Sequence, residues 1–269
     1  MYAEHYRLTE LPFNVTPDPK FLYMTDPHRT AMNHLLFGIR QGKGFVLLTG
    51  EVGAGKTTLC RRLLGTLGGE YHTALILNPI LTPAQLLRAI CEEFGIAQRS
   101  RDRLRCMGLL NSFLLGANAA GRGAVLIIDE AQDMSVDLLE LTRLLSNLET
   151  SSHKLLQIVL VGQPELRDKL RSSALRQLNQ RITVRYHLGR MTKAETAGYL
   201  RHRLSVAGNR GRLLLAPEAV NEIYRYSGGT PRLVNVVGDK VLLAGYVMGA
   251  DQIDKRVVQR AIRDLKEAA

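Results

Sequence analysis

The stretch Gly50-Glu51-Val52-Gly53-Ala54-Gly55-Lys56-Thr57 decides how the rest of the chain is read. It fits G-x-x-x-x-G-K-[ST] and stands between an apolar β-type run, Phe45 to Thr49, and a segment of helical period, Thr58 to Leu67. Glycine at 50, 53 and 55 lets the backbone curl so that successive N–H groups face phosphates, and the following helix presents its positive end to them. Lys56 is then expected to reach the β- and γ-phosphates, and the Thr57 hydroxyl to ligate Mg²⁺. Glu51, inside the loop, reads as a solvated side chain rather than a base.

Outward from this loop, short apolar runs alternate with longer helical segments from Gly44 to about Leu188. The runs are Phe45 to Thr49, Thr73 to Leu77, Val125 to Asp129, Gln157 to Val161 and Ile182 to Leu188. The alternation predicts an α/β fold with a parallel sheet, and the nearly continuous apolar character of the central runs fits strands covered on both faces. One of these runs, Ala124-Val125-Leu126-Ile127-Ile128, ends in Asp129-Glu130 and so delivers two carboxylates to the sheet's carboxyl edge. Asp129 is expected to hold Mg²⁺, mainly through water, and Glu130 to orient and polarise the water that attacks the γ-phosphate.

After Leu188 the strand signals stop. Lys193 to Ala207, Pro217 to Tyr226, Pro231 to Val247 and Asp254 to Glu267 read as helices of a second, smaller domain starting near Gly189. Gly208 to Arg212 reads as an exposed basic loop. In Ser227-Gly228-Gly229-Thr230-Pro231 one helix stops and the next starts, with Thr230 placed to cap and Pro231 suited to the first turn. The expected division is an amino-terminal segment, 1–43, packing on the core; a P-loop ATPase core, 44–188; and a helical lid, 189–269.

Composition narrows the function classes. With 45% hydrophobic residues in 269, the chain can bury a real core, which excludes global disorder. The 36 Lys+Arg against 25 Asp+Glu leave a net charge of +11, suited to an acidic partner such as nucleic acid, anionic lipid or a nucleotide, without choosing among them. Cys60, Cys91 and Cys106 are widely spaced, with no C-x-x-C and no nearby histidine set, so neither a disulfide framework nor a zinc site is expected. No apolar run approaches the roughly 20 residues needed to cross a bilayer, and Met1 to Leu11 carries charges where a signal peptide needs an apolar stretch. These features lead to the expectation of a soluble, cytoplasmic protein.

Several stretches in one order resemble the AAA+ ATPases of the general secretion pathway protein A (ExeA/GspA) family, which includes relatives from pilus and exopolysaccharide export systems. They are Leu11-Pro12-Phe13 with Thr16-Pro17-Asp18-Pro19, the loop Thr49 to Thr58, Asp129-Glu130-Ala131-Gln132, Gly162-Gln163-Pro164-Glu165-Leu166, and Gly229-Thr230-Pro231-Arg232. The resemblance covers nearly the whole chain and implies a P-loop (AAA+) core with a small carboxyl-terminal helical lid, ATP and Mg²⁺ as ligands, and ATP-dependent homo-oligomers.

The resemblance also implies roles for further residues. Gln163, after Ile158 to Val161, takes the place of the polar γ-phosphate sensor, a variant where Asn or Thr is common; its amide can both donate to phosphate and accept from water. Arg232 takes the place of the second sensor, reaching the nucleotide from the lid. Arg176 and Arg181 lie where a finger acting on a neighbouring subunit is expected, with Arg181 preferred because it directly precedes the last core run. Phe13 and Pro17 either offer apolar faces to the adenine or staple an extended segment to the core. His28 and Arg29 receive no catalytic role.

Basic clusters at Arg99 to Arg105, Arg167 to Arg190, Arg201 to Arg212 and Lys255 to Arg263 read mostly as solvated helix faces. With 6% aromatic residues and no tryptophan the pattern is not that of a single-strand binder, whereas duplex DNA contacts through phosphates need no aromatics. The readings are therefore an ATPase that assembles or remodels membrane-associated secretion, pilus or export partners; an ATP-dependent DNA-binding regulator of the transposition-target-selection type; or a nucleotide-dependent adaptor with rare turnover. Members of the secretion family often continue into a membrane span and a peptidoglycan-binding domain. The chain is expected to be either a short stand-alone relative or the cytoplasmic part of a longer protein.

Overall fold

The five apolar runs become five parallel strands, β1 (Phe45–Gly50), β2 (Tyr71–Ile76), β3 (Gly123–Ile128), β4 (Gln157–Gly162) and β5 (Ile182–Leu188). This computed structural model describes residues 1–14, 18–97, 102–150 and 153–267. Helices α1 (Tyr2–His5) and α2 (Asp26–Arg40) precede the sheet. The crossovers between strands carry α3 (Lys56–Leu67), α4 (Pro83–Glu93), α5 (Arg103–Ala119), α6 (Val136–Leu145), α7 (Glu165–Leu170) and α8 (Arg176–Arg181). After β5 come α9 (Lys193–Val206), a two-residue strand β6 (Leu214–Leu215), α10 (Pro217–Ser227), α11 (Pro231–Val247), a second two-residue strand β7 (Gln252–Ile253), and α12 (Lys255–Glu267).

The strands lie in the order β2-β3-β4-β1-β5. Parallel neighbours cannot be joined by a tight hairpin, so each connection passes over a face of the sheet, and those helices cover it. Both β1 and β4 are buried along their whole length, which accounts for runs without polar alternation; the edge strand β5 alternates buried and exposed residues. Leu47, Leu126, Ile158 and Leu160 from the sheet pack with Leu86, Ile90, Leu110, Leu138 and Leu141 from the helices. Cys60, Cys91 and Cys106 are buried thiols, with Cys91 donating to the Cys106 carbonyl at 3.7 Å. Among the described residues no helix is long and apolar enough to cross a membrane.

The chain divides into two compact units: Pro27–Gly50 with Leu59–Leu188, which holds the sheet, and Met1–Asp26 with Glu51–Thr58 and Gly189–Ala269, which is mainly helical. This departs from the expected amino-terminal segment 1–43 packed on the core. Residues 1–26 build the helical unit instead, because Tyr2, Tyr6, Leu8 and Phe13 fill a core with Leu200, Val234, Val237, Val241 and Val258. The Arg203 guanidinium clips this segment in place. It donates to the carbonyls of Pro12 and, at 3.0 Å, Asn14, and to the Tyr199 hydroxyl at 3.2 Å, while lying 4.5 Å from the Phe21 ring centroid. A charge buried to 6% exposure is tolerated there because each of the three guanidinium nitrogens donates to an oxygen. Arg203 is thus no part of a solvated basic face.

Two further details differ from expectation. Strand signals do not end at Leu188, since β6 and β7 pair in parallel through Leu214 with Gln252 and Leu215 with Ile253, runs too short to register as a period. Thr230 occupies the cap position of α11 without a capping hydrogen bond from its side chain, and Pro231 takes the first turn as expected.

Candidate nucleotide site

In a parallel sheet all strands end on one edge, and here that edge gathers the chemistry. Gly50 closes β1, Asp129 follows β3 and Gln163 follows β4, with β4 lying between β1 and β3. Ligands of open α/β sheets bind outside this carboxyl edge. On β1, the hydroxyl of the buried Thr49 is 3.1 Å from Nδ1 of His187 on β5.

Asp129 is 1% exposed; its amide donates to the Ile76 carbonyl at 2.8 Å, and its Oδ1 accepts from the Glu130 amide at 2.9 Å. Glu130 has a left-handed backbone, φ 51° and ψ 38°. That conformation costs a residue with a Cβ about 1–2 kcal/mol, and such strain concentrates where a side chain must be aimed. The Glu130 carboxylate is gripped from two sides. Gln132 Nε2 donates to its Oε2 at 2.8 Å, and Gln163 Nε2 approaches the same oxygen at 3.4 Å. The Gln132 Oε1 accepts from the Gln163 amide at 3.0 Å, so one side chain bridges the ends of β3 and β4. Beneath it, Lys169 on α7 donates to the carbonyls of Gln132 at 2.7 Å and Met134 at 2.5 Å, which fixes the turn carrying Gln132.

In the helical unit, the loop Glu51–Thr58 turns at two of its glycines. Gly53 and Gly55 have φ of 75° and 95°, a region that residues with a Cβ seldom visit. The Ala54 amide donates to the Glu51 carbonyl at 3.1 Å, and the 5%-exposed Lys56 places its Nζ 3.1 Å from that same carbonyl. Glu51 therefore uses its backbone, not its half-buried carboxylate, to hold the lysine. Thr57 and Thr58 fall in the first turn of α3, the helix end that favours anions. The curled backbone, the lysine poised within the curl and the Thr57 hydroxyl at the helix start have the chemistry of a phosphate cradle.

Arg232, in the first turn of α11, lies against this loop. Its amide faces the Gly53 carbonyl at 3.3 Å, and a Cβ added to Gly53 would meet the Arg232 Cβ at 2.4 Å. The lid arginine is thus seated on the phosphate loop itself. The two finger candidates differ in their surroundings. Arg181 donates to Ser146 Oγ at 2.9 Å and Asn147 Oδ1 at 2.5 Å, pinning the end of α6, while Arg176 stands exposed at the start of α8. Phe13 is 2% exposed with its ring against Gly238, which is the stapling role rather than an open apolar face. Thr16, Pro17, Arg99 and Arg101 lie outside the described residues.

Sequence reasoning gave no role to Gln132, Lys169 or His187. A polar residue two positions beyond Glu130 was the one available signal for Gln132. Nothing in the sequence ties Lys169 to carbonyls more than 30 residues earlier.

A family model described as an AAA domain matches residues 39–170. General secretion pathway protein A of Aeromonas hydrophila is 47% identical over 254 residues, which is 94% of this chain and 46% of that protein. The chain thus carries an AAA domain and, over nearly its whole length, is similar to a general secretion pathway protein A. It spans less than half the length of that relative. Solved structures share the AAA fold at low identity. The Aeropyrum pernix ORC2 protein matches with a TM-score of 0.68 at 18% identity, over 94% of this chain and 71% of that one. The Thermotoga maritima RuvB Holliday junction branch migration motor matches at 0.59 and 23%, over 90% and 69%. These likenesses bear on the AAA fold alone.

Proposed function

We propose that this chain binds ATP with Mg²⁺, hydrolyses the γ-phosphate, and uses the cycle to assemble or remodel partners of a bacterial envelope secretion, pilus or polysaccharide export system. The observation that carries the reading is the shared carboxyl edge: the phosphate loop leaves it at Gly50, and Asp129 and Glu130 enter it two strands away. Lys56 and the loop amides bind the phosphates. Thr57 and Asp129 hold the metal, which when bound neutralises charge on the phosphate oxygens. Glu130 orients the attacking water, Gln163 reports γ-phosphate occupancy, and Arg232 transmits it to the lid. In a homo-oligomer, Arg181 or Arg176 supplies a guanidinium to the neighbouring subunit. The name of the 47%-identical relative supports the envelope setting.

Turnover of ATP by the chain and two variants tests this. Lys56→Ala is expected to lose nucleotide binding or turnover, and Glu130→Gln to keep ATP bound with only a slow residual turnover and to accumulate the assembled state. Wild-type rates in both variants would remove the catalytic assignment.

A second reading, duplex DNA as the partner, draws on the net charge of +11 and on Arg256, Arg260 and Arg263, exposed on one face of α12. Affinity falling steeply with added salt would favour it; no binding at low salt would leave the envelope reading standing alone.

A further inference from the structure

We infer that Gln132 is a positioning residue for hydrolysis: it holds the Glu130 carboxylate in its working orientation and ties that orientation to the end of β4, where Gln163 stands. The inference rests on the reading of Glu130 as the group that orients the attacking water.

A carboxylate on a flexible side chain sweeps several orientations, and a base acting on one water molecule is useful in few of them. A backbone conformation and two hydrogen bonds remove that freedom here. The left-handed backbone at Glu130 sets the direction in which its side chain leaves the turn. Gln132 Nε2 then fixes Oε2 at 2.8 Å, which leaves Oε1 as the oxygen able to take the water's proton. The other end of the same amide, Oε1, accepts the Gln163 amide at 3.0 Å, so any shift of the β4 end moves the base with it.

Two features outside this trio serve the same arrangement. Lys169 holds the carbonyls on either side of the turn, so Gln132 cannot swing away with its backbone. Gly162, the last residue of β4, leaves room for the amide: a Cβ there would stand 2.8 Å from Gln132 Oε1 and the same distance from Leu166 Cδ2. Gln132 also reaches Asp133 Oδ2 at 3.2 Å, a contact that holds the amide nitrogen on the acidic side and its oxygen toward β4.

The test is a kinetic double-mutant cycle on the full chain with Mg·ATP. Gln132→Ala is expected to lower kcat by about tenfold to a hundredfold, the cost of a slightly misplaced reacting group, with KM for ATP unchanged. In the Glu130→Gln background the same substitution is expected to cause no further loss, because a residue that acts only through Glu130 has nothing left to position. Gln132→Met keeps the length of the side chain without adding charge while removing both the donor and the acceptor; it is expected to match the alanine variant, and an unchanged melting temperature in both separates positioning from folding. A kcat within about twofold of wild type in both Gln132 variants, or additive losses in the cycle, would overturn the inference. Wild-type turnover by Glu130→Gln alone would instead overturn the reading of Glu130, and this inference with it.

Discussion

Gly53→Ala puts the junction between phosphate loop and lid under direct strain. Two costs arise together. The backbone at φ 75° is left-handed, which charges an L-residue about 1–2 kcal/mol. The new Cβ would also fall 2.4 Å from the Arg232 Cβ, an atom fixed to the start of α11 that cannot rotate away, and overpacking of this kind costs about 1–3 kcal/mol. Together these make about 2–5 kcal/mol against the curled form of the loop, or roughly 30-fold to a few thousandfold in ATP affinity at about 1.4 kcal/mol per tenfold. Arg232→Ala is expected not to relieve the clash, because alanine retains the offending Cβ. Gly65→Ala serves as the control: it sits within α3 with nothing near its added Cβ and no positive φ, so helix propensity raises stability by up to about 1 kcal/mol. Calorimetric titration with Mg·ATP and thermal melting read both effects. ATP affinity of Gly53→Ala within about threefold of wild type would refute the seating of Arg232 on the loop.

Further outcomes follow from the same contacts. Arg181→Ala removes the pin on Ser146 and Asn147 and is expected to lower the melting temperature, whereas the exposed Arg176→Ala is expected to leave it unchanged. In mixtures with a Glu130→Gln subunit, which binds ATP and assembles, whichever of the two variants regains turnover identifies the arginine that acts on its neighbour; rescue of neither would place that arginine elsewhere. His202 is depressed below the ordinary histidine range, first by burial and then by Arg203. The unfolded chain therefore binds a proton more readily than the native one, so stability is expected to fall as pH drops below about 6.5, and His202→Gln to flatten that fall in denaturant melts between pH 7.5 and 5. An unchanged slope in the variant would assign the acid sensitivity to other groups.

Most of the sheet and half of the site were legible in the residues, for physical reasons that differ by element. Strands β1, β3 and β4 declare themselves because burial on both faces removes every polar interruption. The loop at 50–57 does so because its glycines, lysine and threonine must occur at fixed spacing. The helices after Leu188 show their period and their stops, Pro231 above all. Contacts between segments distant in the sequence leave no such mark. That Tyr2, Tyr6 and Phe13 join the helical unit depends on which apolar surface receives them, and that Arg203 is buried depends on carbonyls of Pro12 and Asn14 some 190 positions away. The grip of Gln132 on Glu130 is invisible for another reason: a glutamine after an acidic strand end looks like any polar turn residue until the β4 end is placed beside it.

The claim on which the rest depends is that the loop at 50–57 and the acids at 129 and 130 act on one magnesium-bound triphosphate. Calorimetric titration of the Glu130→Gln chain with ATP, with and without Mg²⁺, tests it most directly. The account predicts one-to-one binding that tightens with Mg²⁺, loses that tightening in an added Asp129→Asn substitution, and vanishes in Lys56→Ala. No heat with ATP and Mg²⁺, or a magnesium effect untouched by Asp129→Asn, would contradict it.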